Sequence, residues 1–417
     1  MKYNIIMKKY YIVLLLAAYW AGGIPTHSFA QKNIQKKLQT QFIMVKNGGK
    51  IELPAGTFTL AKSLWMDNRK NVKIVGQGMG QTILSFKGQK EGAEGIKITN
   101  GQNIVIEGLT VQDTKGDAIK VQNTDGITFR KVKTEWTGKP KKSNGAYGLY
   151  PVMCKNVLIE YCEAKGASDA GIYVGQSQDI IVRYSKAVFN VAGIEIENSL
   201  RADVYENVAT NNTGGILIFD LPDLVQKKGG FVRVFKNKIL NNNYKNFAPK
   251  GNIVGKVPPG TGVLILATNN VEVFNNEIIH NRTLGTGIIS YHMTEIPIKD
   301  SSYYPYPTKI NIHDNVYKRL HRKATFKGRF GKMFYFKLRF GKQVPHIIYD
   351  GILDDKTKDA NGMLTKEYAI CIRGNQVNGS PLFANIDAGN GFKNIVKDAQ
   401  GFDCSRDKLN AAQVKLK

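Results

Sequence analysis

A short string recurs along the middle of the chain: a glycine, then a hydrophobic, a variable and another hydrophobic residue. Four consecutive copies begin at Gly148, Gly171, Gly193 and Gly215, at intervals of 22 or 23 residues. Self-similarity at a fixed short period indicates a stacked repeat architecture rather than several separate domains. Further copies are Gly95-Ile96-Lys97-Ile98, Ala118-Ile119-Lys120-Val121, Gly262-Val263-Leu264-Ile265 and Gly287-Ile288-Ile289-Ser290.

The period and content of the repeat predict the fold. Each unit has room for three short strands and three turns, and one unit cannot bury its inward side chains without neighbours. A leucine-rich repeat shares the period but needs a recurring leucine pattern, which is absent, and propeller blades are longer. We therefore predict an all-β fold, a right-handed, single-stranded parallel β-helix. A turn position recurs in successive units and predicts a polar ladder of Cys162, Ser185, Asn207, Asn237, Asn276 and Asn315.

The two ends of the repeat region differ from its middle. Residues 33–45 place Ile34, Leu38, Phe42 and Val45 on one helical face, which predicts a helix that covers the open end of the solenoid. We expect a signal peptide over residues 1–30, the β-helix with its cap over 31–316, and an irregular extension and C-terminal cap over 317–417. Residues 318–342 hold ten basic residues and no acid, and we expect a solvated basic hairpin there rather than a nucleic-acid surface.

Several strings in the chain resemble a known family. Leu53-Pro54-Ala55-Gly56-Thr57-Phe58 and Val75-Gly76-Gln77-Gly78 are similar to the pectate-lyase-like β-helix superfamily. Ser168-Asp169-Ala170-Gly171-Ile172-Tyr173, Val191-Ala192-Gly193-Ile194-Glu195-Ile196-Glu197 and Pro258-Pro259-Gly260-Thr261-Gly262-Val263 resemble exported bacterial parallel β-helix repeat-containing proteins. The resemblance implies the fold and secretion, and it carries no activity that can be transferred.

The N-terminus and the charge point to an exported protein with anionic partners. Lys2, Lys8 and Lys9 precede an apolar run, and Ser28-Phe29-Ala30 is typical of a signal cleavage site, so we expect export to the periplasm or medium. The formal charge is +26, and loss of residues 1–30 leaves +23. Such a charge favours an acidic polysaccharide or envelope glycan, although a generally solvated basic surface explains it equally well. We expect a monomer with no transmembrane segment and no nucleic-acid ligand.

Cysteine positions predict one disulfide. Cys371 and Cys404 both lie in the irregular C-terminal region, where a covalent link is useful, and an exported chain permits it. Cys162 instead falls on the turn ladder, and Cys154 is out of phase with it.

Side chains alternate along strands, so the residue between the two hydrophobic ones points out of the helix. The outward positions of the middle repeats then carry tyrosines, carboxylates and amides. Glu195 and Glu197 have Cα atoms roughly 6.6 Å apart, which overlaps the carboxyl spacing of inverting glycosidases. The candidate catalytic residues are Glu195, Glu197, Asp220, Tyr173 and His292.

Long insertions flank the same face and predict a groove with basic walls. Residues 137–145, 221–230 and 244–260 interrupt the repeat beside these strands. The candidate substrate-binding residues are Tyr150, Asp169, Gln176, Asn198 and Lys250. Structural alternatives remain open for each: a solvated pair for Glu195 and Glu197, turn chemistry for Asp169, a packing role for His292. We predict no cofactor; Glu195, Glu197 and Asp220 could supply oxygens to Ca²⁺, but the chain has no metal-ligand spacing.

Two classes of function follow. The leading hypothesis is a polysaccharide-active protein of lyase, hydrolase or epimerase type acting on acidic glycans in the groove. The alternative is a non-enzymatic envelope or surface module that binds a glycan or a partner exported protein. A copper-site maturation factor is disfavoured because a His/Met/Cys ligand cluster is missing. No phosphate loop, dinucleotide fingerprint or nucleophile elbow occurs.

Overall fold

The structure is a computed structural model that describes residues 26–320, 332–340 and 343–416, with side chains from Ile34 onward. One α-helix, α1 (Thr26–Met44), precedes the strands. Its Leu38 and Phe42 are fully buried against the first coil, which confirms the predicted cap. The helix begins before Ala30, so the predicted cleavage site lies within it; most of the predicted signal peptide lies outside the described residues, and export remains a prediction.

In the described residues, thirty-one short strands follow α1. In chain order the first sixteen are β1 (Lys50–Glu52), β2 (Gly56–Thr59), β3 (Lys62–Asp67), β4 (Lys73–Val75), β5 (Thr82–Ser85), β6 (Glu91–Thr99), β7 (Gln102–Gln112), β8 (Ile119–Gln122), β9 (Asp125–Glu135), β10 (Tyr147–Val152), β11 (Lys155–Glu160), β12 (Glu163–Lys165), β13 (Ala170–Gly175), β14 (Gln178–Arg183), β15 (Lys186–Val188) and β16 (Ala192–Glu197). The others are β17 (Leu200–Tyr205), β18 (Val208–Thr210), β19 (Gly214–Phe219), β20 (Gly230–Phe235), β21 (Lys238–Leu240), β22 (Thr261–Leu266), β23 (Asn269–Phe274), β24 (Glu277–Ile279), β25 (Leu284–Ile289), β26 (Thr308–His313), β27 (Val316–Lys318), β28 (Ile347–Tyr349), β29 (Ile370–Arg373), β30 (Gln376–Asn378) and β31 (Phe383–Asn385).

These strands form two long parallel sheets. Sheet B contains the glycine strings: β3, β6, β8, β10, β13, β16, β19, β22, β25, β28 and β31, each paired with the next. Sheet A contains the other twenty strands, two per coil through most of its length. Each coil therefore contributes one strand to sheet B and a bent pair to sheet A. This is the predicted right-handed parallel β-helix.

The interior of the helix is filled by aliphatic side chains from both sheets. One continuous core runs from Leu38 in the cap to Phe402 near the end of the chain. The two hydrophobic positions of each glycine string point into it, as Ile172 and Val174 or Ile194 and Ile196 do. Burial of these residues in stacked coils stabilises the solenoid, since no coil has a core of its own.

The predicted polar ladder is present in the turn. The Asn207 side-chain amide donates to Asn237 Oδ1 at 3.1 Å, and Asn237 donates likewise to Asn276 at 3.0 Å. A second ladder, which the sequence analysis did not identify, runs through Asn190, Asn212, Asn242 and Asn281. Both ladders satisfy buried backbone groups from coil to coil.

The β-helix continues past the boundary predicted at residue 316. β27 pairs with β30, and β28 pairs with β31, so another coil follows the insertion. The described part of the basic segment contains a π-helix, Met333–Lys337, whose Phe334 is buried on the outside of sheet B. This differs from the predicted solvated hairpin because aromatic residues between the basic ones pack on the last coils. Residues 321–331 and 341–342 lie outside the described residues.

Short helices interrupt the long loops. Five 3-10 helices lie at Ile253–Lys256, Tyr291–Thr294, Asp355–Thr357, Ala388–Asn390 and Gln400–Phe402. Cys371 and Cys404 form a disulfide that joins β29 to the segment after the last of these helices. Cys154 and Cys162 are free and buried. Among the described helices, none has both the length and the apolar composition required to cross a membrane.

Candidate functional site

The outward positions of sheet B form one continuous row, which we call the sheet B column. Register between neighbouring strands places one residue of each coil above the next, about 4.8 Å apart. The members of the column are Trp65, Lys97, Lys120, Tyr150, Tyr173, Glu195, Leu217, Leu264 and Gly287. The column changes character along its length: its first four residues reach solvent, whereas Tyr173 to Leu264 are buried. The predicted face therefore exists, but only its N-terminal half is open.

Four carboxyl groups lie in the buried half of this face. Asp169, Glu195, Glu197 and Asp220 are between 1% and 8% exposed. Tyr173 donates from its hydroxyl to Glu197 Oε1 at 2.6 Å, whereas Glu195 Oε2 and Asp220 Oδ1 have no hydrogen-bond partner. The structure thus brings together four of the predicted acidic residues, in a place that water and substrate do not reach.

Burial shifts the protonation of this group. Desolvation, with the neighbouring charges of Asp169 and Glu197, raises the pKa of Glu195 well above its usual value. Burial likewise raises the pKa of Asp169 to about 7 and that of Asp220 to about 7. Burial favours the protonated form of these carboxyl groups because charging them in an apolar environment is costly.

Three tyrosines separate the carboxyl groups from the open half of the column. The rings of Tyr147, Tyr150 and Tyr173 have centroids 4.4–5.0 Å apart. Burial and the nearby carboxylates raise the pKa of Tyr147 and Tyr173 well above that of a free phenol. Tyr173, one of the candidate catalytic residues, donates a hydrogen bond to Glu197, which argues against its acting as a general base.

Residues 244–260, which we call the cover segment, lie over the buried half as a roof rather than beside it as the predicted wall. Phe247, Val254 and Val257 are buried in a cluster with the outward side chains of β19 and β22. Asn252 donates to Asp169 Oδ2 at 2.9 Å, and Lys250 is exposed on the outer side of the segment. Opening the cover segment would expose three apolar side chains to water, at a free-energy cost of roughly 1.5–3 kcal/mol for each side chain. The segment therefore stays closed.

Two predicted sugar-binding amides instead hold the second insertion, residues 221–230. Gln176 Oε1 accepts a hydrogen bond from the Val225 amide at 3.0 Å. Asn198 donates to Leu221 O at 2.9 Å and accepts from the Leu221 amide at 2.8 Å. Both side chains form hydrogen bonds with the backbone of this insertion. They therefore hold a loop, which corrects their predicted role in substrate binding.

The predicted position of His292 rests on an alignment that the structure corrects. Gly287 pairs with Leu264, so the true glycine of that coil is Gly285 and the alignment was displaced by two residues. The inward position is occupied by Thr286, whose hydroxyl lies 2.8 Å from that of Tyr317 in the core. His292 is exposed on a 3-10 helix and is not a member of the column; its ring lies 5.2 Å from that of Tyr306, tilted by 52°.

The open half of the column, which we call the open track, consists of Trp65, Lys97, Lys120 and Tyr150. Trp65 is 48% exposed, and the Lys120 ammonium lies 5.0 Å from the centroid of the Tyr150 ring. Lys97 pairs with Glu94 at 3.5 Å. Cations above and between aromatic rings form a surface that suits an anionic ligand with apolar faces.

Asp117 lies at the edge of the open track and is partly accessible, as is Glu94, the partner of Lys97. Its Oδ1 accepts a hydrogen bond from the Tyr147 amide at 3.3 Å. Burial raises the pKa of Asp117 to about 6.

Three residues of the open track and its edge were not predicted from the repeat pattern: Asp117, Trp65 and Lys97. Trp65 lies in a string without the glycine, and Lys97 occupies the variable position of a recognised string, which could have revealed it.

No group of three or more histidine, cysteine or acidic side chains in the described parts of the chain is arranged to hold a metal ion. The four buried carboxyl groups are dispersed over three coils and face tyrosines and apolar side chains. The expectation of no cofactor, with Ca²⁺ on Glu195, Glu197 and Asp220 as the alternative, stays a prediction.

Comparisons with known proteins agree with the fold. Residues 72–224 match the family model described as right handed beta helix region. The A-module of mannuronan C-5 epimerase AlgE4 from Azotobacter vinelandii is 14% identical, with 85% of this chain and 95% of that chain covered and a TM-score of 0.51. No curated protein matches the chain.

Two further solved structures are less similar in shape. An exopolygalacturonase from Thermotoga maritima is 14% identical, with 70% of this chain and 83% of that chain covered and a TM-score of 0.41. An alginate lyase from Paenibacillus sp. is 13% identical, with 69% and 96% covered and a TM-score of 0.40. The strand topology and the match to the family model together show that the chain is a right-handed parallel β-helix protein. The named neighbours act on polysaccharides, but a likeness at this level of identity establishes the fold alone.

Proposed function

We propose that the protein binds an acidic polysaccharide along the open track, with the sugar chain parallel to the axis of the β-helix. The observation that carries this proposal is the exposed row of Trp65, Lys97, Lys120 and Tyr150 on four successive coils. Coils repeat about every 4.8 Å, which is roughly the length of one saccharide unit, so each unit can meet one side chain. The aromatic side chains offer faces for sugar rings, and the lysines offer charge for acidic substituents.

The charge of the whole chain supports an anionic ligand. With 59 basic and 33 acidic residues, the protein attracts polyanions at a distance before the open track makes contact. An envelope glycan of an exported protein fits this chemistry, and the open track needs no second copy of the chain to be complete.

A second candidate is a carbohydrate-active enzyme of lyase, hydrolase or epimerase type. Asp117 is the observation that favours it, because an accessible carboxyl group with a pKa of about 6 can exchange a proton near neutral pH. Lys120 lies three residues after Asp117 on the same coil, in β8, and Tyr150 lies on the next coil. Glu195, Glu197, Asp169 and Asp220 would then act only through the tyrosines, since the cover segment keeps them from substrate.

The test is binding to a panel of acidic and neutral polysaccharides, measured by affinity electrophoresis. We expect wild type to bind acidic chains only, and Lys97→Ala with Lys120→Ala to weaken that binding at least tenfold, or about 1.4 kcal/mol. Lys186→Ala with Lys238→Ala, which removes two exposed lysines from sheet A, is the matched control and should change nothing. Equal losses in both double variants would refute a specific track.

Turnover separates the two candidates. The same polysaccharides are assayed for cleavage and epimerisation, with and without Ca²⁺, using wild type, Asp117→Asn and Glu195→Gln with Glu197→Gln. Turnover that Asp117→Asn abolishes supports the enzyme. Binding without turnover, unchanged in the double glutamine variant, supports the module, and pull-down from an envelope fraction then asks whether a partner exported protein is bound as well.

A further inference from the structure

The last described residues, Asp403–Leu416, lie on the outer face of sheet A, and we call them the tail segment. They have no regular secondary structure and run across the strands, along the axis of the helix. Their contacts begin at β29 and end at β11. The tail segment thus crosses successive coils of sheet A from β29 back to β11, as an extended chain laid along the helix axis does.

The floor beneath the tail segment is a row of outward side chains on sheet A, which we call the sheet A column. Its members are Leu158, Ile181, Asp203, Arg233, Glu272, Asn311 and Cys371. Arg233 pairs with Asp203 at 3.4 Å, and Asp203 and Glu272 are 5% and 3% exposed beneath the tail. The centre of this floor is polar and charged.

The tail segment is bound through its main chain and through Arg406, whose Nη1 donates to Lys366 O at 3.1 Å and to Ala369 O at 3.4 Å. The Leu409 amide donates to Glu272 Oε2 at 3.2 Å, and the Leu409 carbonyl accepts from Arg233 Nη1 at 3.4 Å. The Lys415 amide donates to Asn156 Oδ1 at 2.9 Å. Because a carboxylate and a guanidinium group bind the N–H and the C=O of one residue, the sheet A column recognises the main chain of an extended polypeptide rather than the Leu409 side chain.

One covalent bond fixes the tail segment, and that bond lies at its beginning. The Cys371–Cys404 disulfide anchors the segment, and hydrogen bonds hold the twelve residues beyond it. Ordering so many residues is entropically costly, so their attachment depends on the anchor. If the tail left, its polar floor would be hydrated, unlike the apolar floor under the cover segment.

We propose that the sheet A column is a docking site for an extended polypeptide, and that its second occupant is the tail segment of another copy of this chain. In the oxidised monomer the disulfide keeps the chain's own tail in place. Reduction by a dithiol breaks the Sγ–Sγ bond, gives two thiols and converts the reductant to its disulfide. The tails can then exchange between two copies, and the floor and the tail retain the same hydrogen bonds in the exchanged dimer.

The experiment uses two full-length variants that cannot form the disulfide within one molecule. Cys371→Ser retains Cys404 on its tail, and Cys404→Ser retains Cys371 beside its sheet A column. The two are mixed under oxidised glutathione, which accepts the two electrons when two thiols join. We expect a covalent heterodimer on a non-reducing gel, with a Cys371–Cys404 cross-link identified by mass spectrometry, and this cross-link should be missing when either variant is incubated alone.

Variants of the docking site distinguish exchange from chance collision of thiols. Glu272→Ala with Arg233→Ala, placed in the Cys404→Ser chain, should lower the heterodimer yield at least fivefold. Arg201→Ala, which removes an arginine bonded to Asp179 at the side of the column, is the matched control and should leave the yield unchanged. No heterodimer, or a yield that both changes leave equal, would overturn the proposal.

Wild type provides a readout that does not depend on the folding of any variant. After reduction and reoxidation, the fraction of covalent dimer should rise with protein concentration and contain the Cys371–Cys404 cross-link between copies. Monomer at every concentration contradicts the proposal. The exchange is independent of polysaccharide binding, because sheet A and the open track are on different faces.

Discussion

Single buried carboxyl groups govern how the protein responds to pH. Asp220 is 2% exposed, its Oδ1 has no hydrogen-bond partner, and burial raises its pKa to about 7. A pKa that is higher in the folded than in the unfolded state stabilises the fold at low pH. This contribution is fully present below about pH 4 and is lost as pH rises toward 7, because the unfolded chain releases its proton first.

Asp220→Asn should therefore change the pH dependence of stability. The amide cannot ionise, so the variant should be more stable than wild type at pH 8, by on the order of 2–4 kcal/mol, and close to it at pH 4. Urea unfolding at the two pH values measures the difference. A wild type whose free energy of unfolding is the same at both would show that Asp220 is not buried in this way.

Asp300 provides a control of opposite sign. Its side chain is 14% exposed, and its hydrogen bonds with Lys227 and Ser302 lower its pKa to about 2. The stability that it contributes is present above the unfolded pKa of about 4 and disappears as pH falls toward 2. Asp300→Asn should therefore give no gain at pH 8.

At the scale of single residues, the sequence predicts correctly which way the side chains point, but not how exposed they are to solvent. Strand alternation correctly places Glu195 and Glu197 outside the helix interior, because side-chain direction is a local property of the backbone. Whether an outward side chain meets solvent depends on segments far away in the chain. Asp169 is bonded to Asn252, 83 residues later, and no local pattern encodes that contact.

At the scale of elements, the cover segment closes the predicted groove by packing over the later coils of sheet B. Its apolar residues match an apolar patch on the outside of β19 and β22, formed by Leu217, Phe219, Leu264 and Leu266. In the sequence this patch is visible as the change from acidic to aliphatic residues at outward positions after Gly215. This change marks the strands on which the cover segment packs. It does not mark the end of an active site.

Phe247→Ala should loosen the cover segment. Phenylalanine truncation at a buried position costs about 3–5 kcal/mol, so we expect a loss of this order in urea unfolding and faster amide exchange in residues 244–260. Val225→Ala, in the neighbouring insertion, removes an 80% exposed side chain and should cost under about 0.5 kcal/mol. Similar losses in the two variants would contradict the packing described for the cover.

The repeat predicted most elements because each coil is a local unit of one period. It failed at β25, where a buried threonine occupies an inward position and a neighbouring isoleucine imitates the pattern. Thr286 is accepted in the core because Tyr317 gives its hydroxyl a partner. The spacing of hydrophobic residues gives no signal of such a polar pair. The predicted alignment of this coil is therefore displaced by two residues, and so is the predicted position of His292.

At the scale of the whole molecule, four described segments cover parts of the outer surface, and one of them, the segment around Phe334, packs on the last coils of sheet B. The tail segment lies along sheet A, the cover segment roofs the later coils of sheet B, and α1 closes the first coil. The open track is the part of the sheet B column that these segments leave accessible. The sequence predicted the solenoid and the polarity of its face, but not this division, which depends on contacts between distant parts of the chain.

Lysine footprinting tests the central claim, that an acidic polysaccharide lies on the open track. The protein is acetylated with and without the polysaccharide, and each lysine is quantified by mass spectrometry. Lys97 and Lys120 should be protected at least fivefold, while Lys186 and Lys238 on sheet A react unchanged. Protection of the sheet A lysines with Lys97 and Lys120 still reactive would contradict the account.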